Sequence, residues 1–167
     1  RLLPNNIVGL YNLLEAARKT GIRRVILAST GQVVWWALLE GPWPVAVEVP
    51  YAPRDWYAVT KVAAEAAGQA YARNYGMTIV AVRLGWFPRT PAHAAELAST
   101  ERGPNLYFSP GDAGRFFTRT IEADLPPGFK AVYAASLPVR KPVFDLDAAR
   151  HLLAHALQID FVVHLGD

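Results

Sequence analysis

A chain of 167 residues, 52% of them apolar and 19% charged, can bury the core of one domain and is not a disordered tail. It contains no cysteine, which excludes a disulfide scaffold, a cysteine nucleophile and a thiolate metal site. Its 17 basic residues against 14 acidic ones leave a formal charge of only +3, scattered along the chain, so it carries no nucleic-acid footprint.

The chain opens on Arg1-Leu2-Leu3-Pro4-Asn5-Asn6 and runs straight into a helical pattern, as the middle of a longer fold would. No charged start followed by an apolar stretch and a cleavage site precedes it. No window reaches about 18 uncharged apolar residues. No leader and no membrane contact are expected, and a cytoplasmic location is. Over residues 6–20, Ile7, Leu10, Tyr11, Leu14 and Ala17 fall at helical spacing and predict a helix with one buried face, stopped by Gly21. Residues 25–28 form a short unbroken apolar run, the pattern of a strand buried on both faces of a parallel sheet. Gly41, Pro42, Pro44, Pro50 and Pro53 then make residues 38–55 an irregular excursion, and loops of that length are often functional.

A helix is predicted over residues 55–75, capped by Asp55 and ended by Gly76, followed by a β-branched strand over 78–84. Residues 85–110 read as loop with a short helix near 92–98. Ser109-Pro110-Gly111-Asp112 reads as the start of a helix running to about 122. A third strand is predicted over 131–135, and a last helix over 146–157 with Asp145 as its cap. Alternating helices and strands with no repeat and no linker indicate one α/β domain over residues 1–167, built on a parallel sheet.

The chemistry concentrates in Tyr57-Ala58-Val59-Thr60-Lys61. Tyr57 and Lys61 are four apart and project from one helix face. An ammonium close to a phenol favours the phenolate and lowers its pKa, so such a tyrosine can exchange a proton with an alcohol, and the lysine's donors can hold ribose hydroxyls. The bland alternative is a surface Tyr–Lys pair. Context comes from Val25-Ile26-Leu27-Ala28-Ser29-Thr30-Gly31, a strand that ends in two hydroxyls where open α/β sheets place their ligand crevice. Ser29 and Thr30 either donate to a substrate oxygen there or simply end the strand and cap the turn.

Together with Asn6-Ile7-Val8-Gly9, Leu13-Leu14-Glu15-Ala16-Ala17, Pro53-Arg54-Asp55-Trp56, Glu65 and Val82-Arg83-Leu84-Gly85, these motifs resemble the extended short-chain dehydrogenase/reductases, the NAD-dependent sugar epimerases and dehydratases. The order and spacing fit over nearly the whole chain. The resemblance implies a three-layer Rossmann-like parallel sheet flanked by helices. It implies NAD as cofactor, NADP not being excluded, and a sugar-like small molecule as substrate. By the same resemblance Thr30, Tyr57 and Lys61 are the catalytic residues, and Asn6, Ser29, Tyr57, Lys61, Leu84 and Gly85 lie at the cofactor. Gly31, Gln32, Trp86 and Arg89 fall on the substrate side. A homodimer through the Tyr57 helix and the Ile7 helix is expected.

Arg83-Leu84-Gly85-Trp86-Phe87-Pro88-Arg89 and Ser109-Pro110-Gly111-Asp112-Ala113-Gly114-Arg115-Phe116 look most like the uronate dehydrogenase branch. That branch has Asn-His after its active-site serines, where this chain has Gly31-Gln32. Arg89 and His93 could face a carboxylate, or sit in a solvated loop. Trp35, Trp36 and Trp43 either wall a pocket or cover the sheet, the second being favoured. His151, His155 and His164 complete no ligand set, so no metal is expected. Asp112 reads as a helix-start acid, and Arg115 and Arg119 as a solvated face.

No Gly-x-Gly-x-x-Gly or Gly-x-x-Gly-x-x-Gly turn follows any strand. The resemblance places that turn in βαβ units of about 30 residues each, so on the order of 90 residues are expected before Arg1, and an open sheet edge with them. Two functions remain in view: the catalytic portion of an NAD(P)-dependent sugar oxidoreductase or epimerase, or a non-catalytic remnant or interaction module that cannot bind the dinucleotide alone.

Overall fold

The computed structural model describes residues 1–138 and 141–154. After a π-helical turn at Pro4–Val8, helix α1 spans Gly9–Lys19, strand β1 Arg24–Thr30, and a 3-10 turn Gly31–Val33. Helix α2 (Trp35–Glu40) and the long α3 (Trp56–Tyr75) precede β2 (Thr78–Leu84). Helices α4 (Pro91–Ser99), α5 (Gly103–Leu106) and α6 (Pro110–Glu122) follow, then β3 (Gly128–Ala134) and α7 (Asp147–Ala154).

The three strands are parallel in the order β1-β2-β3, with Thr30 level with Leu84 and Leu84 level with Ala134. Successive side chains of a strand face opposite sides, so a sheet covered on both faces needs every residue apolar at its centre. In β2 the six residues from Thr78 to Arg83 are all buried. Ile79 joins Val25, Leu27, Leu14, Ala17 and Ala72 beneath α1 and α3. Val80 and Val82 join Val132, Phe116 and Leu152 beneath α6 and α7. A third cluster, with Val33, Val34, Leu38, Val45, Leu106, Tyr133 and Phe144, packs the loops at the carboxyl ends of the strands into a firm floor.

The α/β reading holds, and so do the limits of β2 and α3. Asp55 caps α3 by accepting a bond from the Ala58 amide at 3.0 Å, and Gly76 leaves it in the left-handed region at φ 62°. Ser109 likewise caps α6, accepting from the Asp112 amide at 3.0 Å. Other elements depart from the sequence reading. The excursion expected from residue 38 begins only at Gly41, because α2 forms first and buries Leu38. β3 begins at Gly128, three residues before the expected 131, because Gly128, Phe129 and Lys130 align with Thr78, Ile79 and Val80 of β2. The last helix starts at Asp147, with the Asp145 carboxylate accepting from the Asp147 amide at 2.9 Å. Its expected continuation to 157, and with it His155 and His164, lies outside the described residues; His151 is exposed.

The first helix is the largest correction. Of its expected buried face only Leu14 and Ala17 are buried, while Ile7 and Tyr11 stand 37% and 60% exposed. β1 has no strand partner on its outer edge among the described residues, so the amino-terminal half of this helix has no sheet beneath it. Among the described residues no helix is long and apolar enough to cross a membrane.

Candidate active site

The site forms where β1 and β2 end. Thr30 stays extended (φ −152°, ψ 149°), and its Oγ1 accepts a 3.3 Å bond from the Gln32 amide, which turns the chain into Gly31–Val33. The excursion returns alongside that turn. The Ala52 amide donates to the Val33 carbonyl at 2.8 Å and the Arg54 amide to the Gln32 carbonyl at 3.2 Å. These bonds deliver the start of α3, and Tyr57 with it, to the end of β1. On the other side Gly85 continues β2, donating to the Ala134 carbonyl at 2.8 Å. A Cβ there would lie 2.4 Å from the Leu106 carbonyl oxygen, so a side chain at this position would push the backbone apart.

A cavity of about 500 Å³ opens between these segments and is lined by Thr30, Gly31, Gln32, Tyr57, Leu84, Gly85, Trp86 and Arg89. Eight of the expected site residues therefore meet at one concavity. His93 also lines it, and its Nδ1 accepts the Arg89 amide at 3.2 Å. Trp35 lines it too; Trp43 lines a neighbouring cavity with Lys141 4.0 Å from its ring centroid, and Trp36 stands 52% exposed.

Lys61, Asn6 and Ser29 lie outside that lining. The Lys61 Nζ donates to the Ala28 carbonyl at 2.9 Å, on the open edge of β1. The Asn6 amide donates to Thr60 Oγ1 at 2.9 Å, and the Thr60 hydroxyl donates to the Tyr57 carbonyl at 2.7 Å, so Asn6 braces the first turn of α3. Ser29 points to the face opposite Thr30, is buried, and donates to Glu65 Oε1 at 2.5 Å.

Behind the site lies a buried ion pair whose bonds the sequence did not disclose. Arg83 of β2 donates to Glu65 of α3 through Nε at 3.0 Å and Nη2 at 2.9 Å, and to the Val47 carbonyl through Nη1 at 2.8 Å. The Tyr51 hydroxyl donates to Glu65 Oε2 at 3.0 Å. One carboxylate thus ties together α3, both strand ends and the excursion. Two further residues gained no role from sequence: Arg54 and Glu96 both line the cavity. The signal for Arg54 is its place three residues before Tyr57.

The electrostatics differ from the sequence expectation. Burial pushes the Tyr57 phenol above its ordinary value, the Asp55 carboxylate adds to that, and the Arg89 guanidinium opposes it. The Lys61 Nζ is bonded to Ala28 and stands 5.7 Å from the Tyr57 ring centroid, and the net shift of the phenol is upward, opposite to the lowering expected from that ammonium. Burial also lowers the ammonium's own pKa. Asp55→Asn keeps a capping oxygen but removes the charge that disfavours the phenolate, so the Tyr57 titration should move to lower pH. Arg89→Met should move it to higher pH. Ultraviolet phenolate absorbance, taken as a difference against Tyr57→Phe, reads both; shifts of the opposite signs would reject this account.

Asp112 is more than a helix-start acid. Burial disfavours its charge, but bonds from Ser136, Ser109 and Arg115 together hold its pKa below the usual value. Arg115 is partly solvated, paired with Asp112 at 2.6 Å.

The family model described as Epimerase, NAD dependent epimerase/dehydratase family, matches residues 1–87. L-arabinose 1-dehydrogenase (NAD(P)(+)) of Haloferax volcanii is 33% identical over 136 residues, which are 72% of this chain and 53% of that protein. NAD-dependent glucose-6-phosphate dehydrogenase of the same organism is 29% identical over 165 residues, 92% of this chain and 60% of that one. Among solved structures, an alanine-for-tyrosine mutant of Agrobacterium tumefaciens uronate dehydrogenase complexed with NAD superimposes with a TM-score of 0.71 at 26% identity, covering 88% of this chain and 51% of that one. The chain spans about half the length of the relatives it matches. A parallel sheet with Thr30 and Tyr57 at its carboxyl end, a family model matched from residue 1 to 87 and these relatives agree: the chain belongs to the NAD-dependent epimerase/dehydratase family.

Proposed function

We propose that this chain supplies the acid/base portion of an NAD-dependent enzyme that oxidises or epimerises a sugar at one of its hydroxyls. The observation that carries this reading is the meeting of Thr30 and Tyr57 in one cavity, with no described side chain hydrogen-bonded to the Tyr57 hydroxyl. Tyr57 takes the proton of the reacting hydroxyl at its phenolic oxygen. Thr30 orients that hydroxyl: its Oγ1 accepts the Gln32 amide, and its own O–H remains to donate. Gly31, Gln32, Trp86 and Arg89 shape the substrate side.

The residues present fit the nicotinamide-ribose end of the cofactor. Lys61 has three ammonium protons, one of them on Ala28, and the others suit the two hydroxyls of a ribose. Leu84 and Gly85 line the cavity of Tyr57, where the nicotinamide would lie against them. Asn6 and Ser29, expected at the cofactor, support this end through α3. NAD, when bound, supplies the hydride acceptor. A Gly-rich strand-turn-helix for the pyrophosphate is not among the 167 residues. Exposed Tyr11, Trp56 and Val59 on α1 and α3 support a homodimer through these helices, which sedimentation decides.

The test is NADH formation, by absorbance, from NAD with glucuronate, arabinose and glucose 6-phosphate. It uses the protein that carries this chain and is joined to an NADH titration read by tryptophan energy transfer. Reduction of NAD with at least one of these sugars is expected. No sugar-dependent reduction and no NADH binding would favour the interaction-module reading instead.

A further inference from the structure

Two guanidiniums line the cavity beside Tyr57 from different parts of the chain. Arg54 comes from the excursion just before α3, and Arg89 from the loop after β2. His93 stands next to Arg89, and Glu96 is the one carboxylate in the lining. Among the described residues neither arginine forms an ion pair with Glu96. The contact of Arg54 with Asp55 is long, 3.9 Å, between half-exposed side chains. Neither guanidinium is thus held in a close ion pair among the described residues, and both can turn their donors to a ligand in the cavity.

Arg54 is also held in place. Its guanidinium carbon lies 4.8 Å from the centroid of the Trp35 ring, itself a wall of the cavity, and its amide is bonded to the Gln32 carbonyl at 3.2 Å. A guanidinium stacked on an indole keeps its planar edge of N–H donors free, in the fork that matches a carboxylate or a phosphate. Because the stack fixes the side chain beforehand, less conformational freedom is lost when an anion binds.

We propose that Arg54, stacked on Trp35, acts with Arg89 as a two-point anion clamp, so that the sugar accepted here carries an anionic group, carboxylate or phosphate, away from the hydroxyl that meets Tyr57 and Thr30. This rests on the reading of the cavity as the sugar site. Arg54 is the member that gives a clean test, because Arg89 also acts on the Tyr57 phenol and its loss mixes two effects.

The experiment is calorimetric titration of the protein with glucuronate and glucose 6-phosphate, and with glucose and the methyl ester of glucuronic acid as neutral controls, without NAD. At least one anion is expected to bind about tenfold or more tightly than both neutral sugars, as a charge-assisted hydrogen-bond pair provides. Which of the two anions binds identifies the group. Arg54→Met preserves an apolar contact with Trp35 and should erase about tenfold of the anion's advantage over the neutral sugars; Arg54→Lys should restore part of it. Equal binding of neutral and anionic sugars, no binding of either anion, or an Arg54→Met variant with unchanged anion affinity overturns the clamp. Binding is measured apart from turnover: selective anion binding without NAD reduction would keep the clamp and reject the catalytic reading. NAD reduction indifferent to substrate charge would do the reverse.

Discussion

Tyr57→Phe is expected to lower turnover with NAD and sugar by about 100- to 10,000-fold, the span attributed to a positioned proton-transfer group, with little change in KM. The argument starts from what the phenol does not do. Tyr57 is 38% exposed and no described side chain is hydrogen-bonded to its hydroxyl, so removing the oxygen leaves no buried partner unsatisfied. The variant should therefore match the parent in urea midpoint. A loss of turnover at constant stability then belongs to chemistry. Burial holds the phenol above its ordinary value, so at neutral pH it stands protonated and the forward reaction needs the phenolate. The parent's rate should accordingly climb as pH rises, and the residual rate of Tyr57→Phe should lose that climb. A variant that retains full turnover, or the same pH profile at reduced rate, would remove Tyr57 from the acid/base role.

The parts of this site that were legible in the sequence are those that local rules specify. The apolar period of residues 78–84, the Asp55 cap and Gly76 at the end of α3 act within a turn or a strand, and the motif order placed Thr30, Tyr57, Gly85 and Arg89 near one another. What was not legible depends on distant partners. β3 starts early because β2 offers Thr78, Ile79 and Val80 as a ladder, while Gly128 and Lys130 are poor strand formers by themselves. Trp35 and Arg54 stack although 19 positions separate them, because the Val33–Ala52 and Gln32–Arg54 backbone bonds fold the excursion back. Lys61 sits four residues from Tyr57, as read, yet its ammonium goes to a carbonyl of β1 that no helical rule could indicate. Likewise Glu65 was recognisable as a motif position, but a buried carboxylate is interpretable only once its donors are known.

That carboxylate carries the largest expected effect on stability. Glu65 is fully buried, the Arg83 side chain is 3% exposed, and five donors meet in the pair and its surroundings: Nε and Nη2 of Arg83, the hydroxyls of Ser29 and Tyr51, and the Arg83 Nη1 bond to Val47. Burial opposes the charge on Arg83, and the Glu65 bonds and charge override it and push its pKa up; removing Glu65 takes that support away, yet a guanidinium is too strong a base to lose its proton, so a buried charge is left without a partner. Glu65→Leu should then cost about 3–5 kcal/mol, the penalty of a buried ion left without its counter-charge. Arg83→Met should cost a comparable amount. The double variant Glu65→Leu/Arg83→Met should be more stable than the sum of the two losses, because no buried charge remains. It should not regain the parent's value, since the Ser29 and Tyr51 hydroxyls lose their acceptor. Urea denaturation of the four proteins closes the cycle; additive losses would mean that the pair contributes no coupling. The cycle also reaches the site. Ser29 precedes Thr30 and Arg83 precedes Leu84, so Glu65 ties α3 to the two strand ends that flank the cavity. In the stable double variant turnover should still fall, because an apolar pair can restore packing but cannot specify the angle at which Thr30 faces Tyr57.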